Sequence, residues 1–287
     1  MNYTLGCLHG VASRLNGLRA TAPPSLDLKG CVKMVYLTGD THGEVYRFSP
    51  EFFPDQEDMT RDDTVIILGD FGCIWDKYSI IEIQKLDYLE ERPFTICFVD
   101  GNHENFDRLY GNEFSVVDFH GGKAHKVREN IYHLMRGYIY EFDDRKFFAF
   151  GGASSHDIQD GILDRKDFKT DWDFLDAWDN MTIKGKIFRV NHFSWWKQEL
   201  PTREEMINGE EHLESVNYKV DYVITHCLPY TIASDIGYVK GDILMEYFDE
   251  LLNKGLQFQK WYCGHYHENR VYSPQYEILY DNIVKIL

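Results

Sequence analysis

The chain has 287 residues, of which 44% are hydrophobic, and it carries a formal net charge of −17. This length and apolar content suffice for a soluble globular protein, and no apolar run reaches the length of a membrane span. The negative charge repels polyanions and therefore argues against an extended nucleic-acid groove, although a local cationic centre could still hold a small phosphate ester.

The first 33 residues differ in composition from the rest. They contain few acidic residues, include Pro23 and Pro24, and lack the basic start and long apolar stretch of a secretory signal. Their composition is compatible with a transit-like segment, but Met34 stands directly before the strand pattern "MVYLTGD", which favours a misassigned start. We therefore expect residues 1–33 to be an N-terminal extension, disordered or not native, and residues 34–287 to form the domain.

Apolar strand patterns alternate with helical patterns from Met34 onward. The runs "KMVYLTG", "DTVIILG" and "PFTICFV" predict buried strands, and "SIIEIQKLDYLEER" predicts an amphipathic helix between the last two. The runs "NIYHLM", "YIYEF" and "KFFAFGG" indicate closely spaced antiparallel strands. After an insertion at about residues 152–216, "VDYVITH" and "QKWYCGH" resume the buried strands, with the helix "GDILMEYFDELLNKG" between them and closing strands in the tail. These patterns predict one α/β domain of two layered sheets flanked by helices.

The six cysteines include no CxxC pair, and several lie in or beside apolar runs. This distribution favours free thiols in a reducing compartment over a disulfide framework. We therefore expect a cytoplasmic protein without a membrane partner. The sequence does not indicate an oligomeric state.

Five predicted strands run into loops that carry oxygen or imidazole groups. In chain order the loops read GDTHG, GDFG, GNHE, THC and GHYH. In layered α/β folds, ligand sites collect at the carboxyl ends of buried strands. Any one of these residues alone would be an ordinary turn, helix cap or interior residue, because Asp and Asn favour turns and helix starts. The complete series is a stronger signal than any single member.

Two of the loops carry a pair of ligand types separated by one residue. Asp40 with His42, and His265 with His267, project to one side at the end of an extended segment. Two such pairs can hold two cations side by side, about 3.5–4 Å apart. The mixture of carboxylates, a carboxamide and imidazoles suits Mn, Fe, Zn, Co or Ni better than Ca or Mg alone. We expect two divalent metal ions, with Mn the most effective in vitro.

The ordered series of motifs resembles the calcineurin-like metallophosphoesterases, whose signature is DxH, GD, GNH[DE], H and GHxH. The resemblance runs from Asp40 to His267 and implies the fold of that family, two packed mixed β-sheets flanked by helices. It also implies the metal ligands. One ion would be bound by Asp40, His42 and His267, the other by Asn102, His226 and His265, and Asp70 would bridge the two.

The same resemblance implies a hydrolase that acts on phosphate mono- or diesters. A hydroxide bridging the two ions would attack phosphorus in line while the ions neutralise the phosphoryl oxygens. His103 would face the phosphoryl group as a charge stabiliser or general acid, because imidazole titrates near neutral pH. Glu104 would hold His103 in place. The expected substrate is a small phosphate ester or a nucleotide.

The second motif departs from that of the protein Ser/Thr phosphatases in this family. Those carry GDxVDRG, in which an aspartate orients the catalytic histidine and an arginine clamps phosphate, whereas this chain has "GDFGCIWD" with Cys73 and Ile74 there. Asp76 is an alternative orienting carboxylate at a different spacing. Protein phosphatase-like activity, nuclease activity and a non-catalytic scaffold of the same fold are the alternatives. The missing Asp and Arg argue against a protein phosphatase, and the acidic surface argues against a nuclease. The complete ligand set argues against a non-catalytic scaffold.

The middle region contains candidate substrate contacts. In "FGGASSHDIQDG", a glycine-rich turn with Ser154, Ser155 and His156 could bind phosphate oxygens through backbone N–H groups, and an ordinary turn is the alternative. Arg189 lies in the Trp- and Asp-rich stretch that follows and could also meet a phosphate. The tryptophans of that stretch are expected to pack the insertion against the core.

Overall fold

The computed structural model describes residues 33–238 and 240–287. The expected N-terminal extension therefore lies outside the described residues, except for Lys33. The described residues form a mixed α/β domain with two large sheets and helices packed on their outer faces. The predicted fold class is confirmed.

The first sheet has seven strands within the described residues. They are β1 (Val35–Thr38), β2 (Thr64–Ile67), β3 (Thr95–Phe98), β4 (Ser115–Phe119), β5 (Gly122–Arg128), β6 (Ile131–Leu134) and β15 (Val284–Lys285). Their order is β15-β1-β2-β3-β6-β5-β4. The central strands β1, β2, β3 and β6 run parallel, and the outer strands pair antiparallel.

The second sheet has six strands in the same part of the chain. They are β7 (Tyr138–Phe142), β8 (Arg145–Phe150), β11 (Tyr222–Thr225), β12 (Lys260–Cys263), β13 (Arg270–Ser273) and β14 (Tyr276–Ile278). Their order is β13-β14-β12-β11-β8-β7, with β8, β11, β12 and β14 parallel. Two short strands, β9 (Ile162–Leu163) and β10 (Arg189–Val190), pair parallel to each other in a separate ladder.

The α-helices of the described residues are α1 (Ile80–Glu90), α2 (Phe106–Leu109), α3 (Asp171–Ile183), α4 (Arg203–Ser215), α5 (Tyr230–Asp235) and α6 (Ile243–Asn253). All of them except α5 begin at a side chain that caps a free N–H group. Both α3 and α4, which lie in the expected insertion, begin with a capping box, from Thr170 and Thr202 respectively. No helix in the described ranges is both long and apolar enough to cross a bilayer.

Alternating side chains on the strands build the core on both sides of each sheet. In β2, Ile66 packs between the sheets with Phe147 and Tyr262 of the second sheet, whereas Val65 packs outward in a cluster with Leu86 of α1. The apolar face of α6 covers the outer side of the second sheet. Each fully buried aliphatic or aromatic side chain contributes about 1.5–3 kcal/mol. The packed sheets therefore form a rigid support for the loops at their carboxyl edges.

The three runs expected to pair antiparallel are divided between the sheets. β7 and β8 pair antiparallel, but β6 pairs with β3 and β5 in the first sheet, so its expected pairing with β7 is wrong. The chain turns at Gly137, whose φ of 80° is left-handed, and the preceding Arg136 is anchored by the buried carboxylate of Asp100. This anchored turn carries the chain from one sheet to the other. The sequence patterns also did not indicate β4 and β5.

The remaining predicted elements agree with the structure. The strands predicted before the first three motif loops, the helices matching α1 and α6, and the strands before the last two loops are all present. Four cysteines, Cys73, Cys97, Cys227 and Cys263, are buried and free, as expected. The other two lie outside the described residues.

Candidate metal centre

The parallel strands of both sheets deliver the seven proposed ligands to one place. Each ligand lies in the loop that follows a strand: Asp40 and His42 after β1, Asp70 after β2, Asn102 after β3, His226 after β11, and His265 and His267 after β12. Because parallel strands present their carboxyl ends at one edge, loops that are distant in sequence meet there.

Four of the side chains form one compact group. Asp40, His42, Asp70 and His267 offer ligand atoms that all lie within 4.8 Å of one another. The Nε2 atoms of His42 and His267 face each other at 3.0 Å. Within the described residues, the buried Oδ2 of Asp40 has no hydrogen-bond partner, although Nε2 of His267 lies 3.1 Å away. A buried carboxylate oxygen without a well-directed donor, surrounded by imidazole nitrogens, fits a cation site.

A second group adjoins the first through Asp70. Nε2 of His226 lies 3.5 Å from Oδ1 of Asp70 and 3.3 Å from Oδ1 of Asn102. The ring of His265 lies beside that of His226, with centroids 4.9 Å apart. Asp70 therefore lies between the two groups, with Oδ2 on the side of His42 and Oδ1 on the side of His226.

Backbone groups fix the orientation of these ligands. Nδ1 of His226 lies 2.6 Å from the carbonyl oxygen of Leu68, so Nδ1–H donates a hydrogen bond to that oxygen. The lone pair of Nε2 is then available to bind a cation. The backbone N–H of His265 donates to Oδ1 of Asp40 at 2.8 Å, and that of His103 donates to Oδ1 of Asp70 at 2.8 Å. In each carboxylate a backbone N–H thus holds Oδ1, while Oδ2 faces the imidazoles of the first group.

The glycines that precede the ligands leave room for the carboxylates. A Cβ atom at Gly101 would lie 2.0 Å from Oδ1 of Asp70, and one at Gly264 would lie 2.2 Å from Oδ1 of Asp40. Any other residue would push the carboxylate away. This close approach explains why glycine stands before Asn102 in GNHE and before His265 in GHYH.

Four ligands adopt a backbone conformation that is uncommon for residues with a Cβ atom. The φ angles of His42, Asp70, His265 and His267 are 46°, 50°, 69° and 50°. The surrounding loops maintain these angles; for example, the N–H of His42 donates to the carbonyl oxygen of Asp70 at 2.7 Å. Strained backbone of this kind clusters at functional sites.

The charges of the centre shift the pKa values of its buried groups. Burial opposes ionisation of Asp70, but the nearby His226, His103 and His42 outweigh burial and lower its pKa. Burial also opposes the charged form of His226, yet the carboxylates of Asp70 and Asp40 raise its pKa to about 10. A cation that binds here therefore competes with a proton on His226.

His103 and Glu104 both lie at the centre. Glu104 was expected to hold His103 in place, but no hydrogen bond joins their side chains in the part of the chain that the structure describes. The ring of His103 is half-buried and lies 5.6 Å from that of His42, and burial lowers its pKa. Glu104 is fully buried, and its Oε1 accepts a hydrogen bond from the N–H of Phe71 at 2.7 Å. Among the described residues its Oε2 has no partner, so the expected support of His103 by Glu104 is not seen. Glu104 holds the loop after β2 instead.

Asp157 is a second carboxylate beside His103, in addition to Asp70. Both residues line a cavity of about 160 Å³ at the centre, and the charge of Asp157 acts to raise the pKa of His103. Asp76, the alternative from the sequence, accepts a hydrogen bond from the N–H of Tyr78 and lines a different depression. Arg189 forks onto both oxygens of Asp157, with one distance of 2.8 Å. Arg189 therefore reaches the centre through Asp157.

The serine and histidine candidates have different surroundings. Ser155 is buried, and its Oγ accepts from Nδ2 of Asn102 at 3.4 Å and donates to Oε2 of Glu199 at 2.6 Å. Ser154 lines a cavity beside the centre. Nε2 of His156 lies 2.7 Å from Nε2 of His265, so His156 adds another imidazole to the ligand cluster.

Two carboxylates of the site, Asp157 and Glu199, were not predicted from the sequence. Asp157 directly follows the serine and histidine candidates, and that position was the available signal. Glu199 lies far from every motif, in the short 3-10 turn Lys197–Glu199. The tryptophans of this region were expected to pack against the core. Trp196 is buried, as expected, but Trp172 is 81% exposed, so the expectation is wrong for Trp172.

Together, the fold and the ligand cluster define a two-sheet α/β protein with a candidate metal centre at the carboxyl ends of its parallel strands. The model of the calcineurin-like phosphoesterase family matches residues 34–269. The chain belongs to the calcineurin-like phosphoesterase family. This membership supports a metal-dependent phosphoesterase. No curated protein matches the chain.

Proposed function

We propose that the protein hydrolyses phosphate mono- or diesters of small molecules or nucleotides with the help of two divalent metal ions. The convergence of seven ligand side chains, with Asp70 between two groups, is the observation that supports this proposal. Asp40, His42 and His267 would hold one ion, and the other would be held by Asn102, His226 and His265. Mn is the ion expected to support activity best in vitro.

The bound ions would supply a water of lowered pKa as nucleophile and neutralise the phosphoryl oxygens. The protein's own groups provide the rest. Asp70 and Asp40 are held by backbone N–H groups, so their free oxygens are positioned before any ion arrives. The Nδ1 of His226 is engaged by a carbonyl oxygen, which fixes the tautomer of the imidazole.

His103 is the proposed proton donor to the leaving alkoxide. It lines the cavity at the centre together with Asp70, Asn102 and Asp157. Burial lowers its pKa, whereas the charges of Asp70 and Asp157 act to raise it. Burial prevails, and the lowered pKa makes a protonated His103 a stronger acid toward the leaving alkoxide.

A panel assay tests the proposal. Phosphomonoesters, diesters and nucleotides are supplied with Mn²⁺, Zn²⁺, Fe²⁺, Co²⁺ or Ni²⁺, and the release of phosphate or alcohol is measured with and without a chelator. Hydrolysis of at least one ester class that requires the metal supports the proposal. Inert protein that retains no metal after loading would refute it.

Two further features fit a small substrate in a reducing compartment. The net charge of −17 disfavours a polyanionic substrate. The four buried free thiols are compatible with the cytoplasm, which we propose as the location.

A further inference from the structure

A cavity of about 260 Å³ adjoins the metal centre. His156 and His265 line both this side cavity and the smaller cavity that contains Asp70 and His103. A phosphoryl group held at the centre would therefore have the side cavity directly beside it. None of the motifs accounts for this space.

Apolar and aromatic side chains form about half of the wall of the side cavity. They include Ala153, Ile158, Met245, Tyr238 and Tyr266. The rings of the two tyrosines meet edge to face at 4.5 Å, and the ring of Tyr238 also lies 5.9 Å from that of His156. A hydrogen bond from the N–H of Leu228 to the hydroxyl oxygen of Tyr266 holds that tyrosine in place. This aromatic and apolar part of the wall is suited to contact with an organic ring.

The acidic side chain in the lining is already engaged. Oδ1 of Asp242 accepts hydrogen bonds from the N–H groups of Leu244 and Met245 at 2.9 Å each and so caps α6. Its charge is therefore directed at the helix terminus. The other polar lining groups include Lys240 and Ser154, which can meet polar substituents on the organic group.

The volume limits the size of the occupant. Pockets for small-molecule ligands commonly span about 300–1,000 Å³. The side cavity is smaller than this range, so it suits one compact ring and excludes a large or branched group. Its position beside the centre makes that ring the organic part of the ester.

We infer that the side cavity is the subsite for the organic group of the substrate, and that the substrate is a phosphate ester of an alcohol built on one compact ring. This inference rests on the proposed phosphoesterase function. It adds the class of alcohol, which the metal ligands do not determine.

The test compares ligands that share the phosphoryl group and differ in the organic group. Phenylphosphonate and methylphosphonate lack a hydrolysable ester bond, so calorimetry with Mn²⁺-loaded protein measures binding alone. We expect phenylphosphonate to bind about tenfold more tightly, a difference of about 1.4 kcal/mol. In parallel, the KM of phenyl phosphate should lie below that of methyl phosphate by a similar factor.

Two variants test whether the side cavity causes the preference for phenylphosphonate over methylphosphonate. Gln159 lines the cavity and is exposed, so Gln159→Trp should fill the opening without disturbing the core. It should weaken phenylphosphonate binding about tenfold more than methylphosphonate binding. Tyr238→Ala removes one wall and should reduce the same preference. Gln275→Trp, on the exposed turn between β13 and β14, is the matched control and should keep the preference of the native protein.

The outcomes separate the two proposals. Equal affinity for both phosphonates, or a preference that survives both cavity variants, would overturn the subsite. A preference for phenylphosphonate in a protein that hydrolyses no monoester, diester or nucleotide of the panel with any metal would support the subsite and refute the phosphoesterase function.

Discussion

Glu199 makes a specific prediction because it controls a proposed ligand through one intervening residue. The carboxylate is 2% exposed. Its Oε1 accepts from the N–H of Ser155 at 3.0 Å and its Oε2 accepts from the hydroxyl of Ser155 at 2.6 Å. The serine oxygen accepts in turn from Nδ2 of Asn102 at 3.4 Å. This chain of bonds turns Oδ1 of Asn102 toward His226.

Replacing Glu199 with glutamine converts one acceptor into a donor. If the new NH₂ group faces the serine oxygen, the hydroxyl proton must turn toward Asn102 and meet its NH₂ group. The amide of Asn102 is then more stable when flipped, with Nδ2 toward the centre, and an amide NH₂ cannot bind a cation. Loss of a partner that orients a metal ligand typically costs 10–100-fold in affinity or activity. We therefore expect one Mn²⁺ site to weaken by about 1.4–2.7 kcal/mol.

Calorimetric titration of the metal-free protein with Mn²⁺ measures this loss. Burial raises the pKa of Glu199, so the titration is made at about pH 8 to keep the carboxyl group ionised. Glu204→Gln is the matched control, because Glu204 is exposed on the first turn of α4. Unchanged stoichiometry and affinity at both sites in Glu199→Gln would refute the reasoning.

Four other substitutions test separate parts of the site and its support. Asp70→Asn should abolish turnover and lower the metal content measured by atomic spectroscopy, and full activity would rule out a bridging role. His103→Ala should slow esters with poor leaving groups more than esters with good ones, whereas an equal loss for both would remove the general-acid role. Gly101→Ala should displace Asp70 and weaken Mn²⁺ binding, because its Cβ would lie 2.0 Å from Oδ1 of Asp70; an unchanged titration would contradict this. Asp100→Ala should lower the free energy of unfolding in urea by about 3–5 kcal/mol, since it leaves the buried guanidinium of Arg136 without its main partner, and a loss below 1 kcal/mol would show that the pair is weak.

The sequence by itself determined the fold class and the set of candidate ligands. Short strands, each followed by a loop beginning with glycine or a polar residue, were visible because local periodicity marks a buried strand and Asp, Asn and His stand out after it. The pairs Asp40 with His42 and His265 with His267 indicated two groups of ligands, and the structure brings both pairs to the centre. Such features are local, so they survive in a linear pattern.

Only the tertiary structure decided which residues support the ligands. Glu104 follows His103 directly but points to the loop after β2, whereas Asp157 reaches the cavity of His103 from far along the chain. Likewise, Glu199 holds Ser155 from a turn with no motif, and β6 joins the first sheet although its neighbour β7 joins the second. These contacts join residues far apart in sequence and depend on how the sheets pack, so no spacing along the chain encodes them.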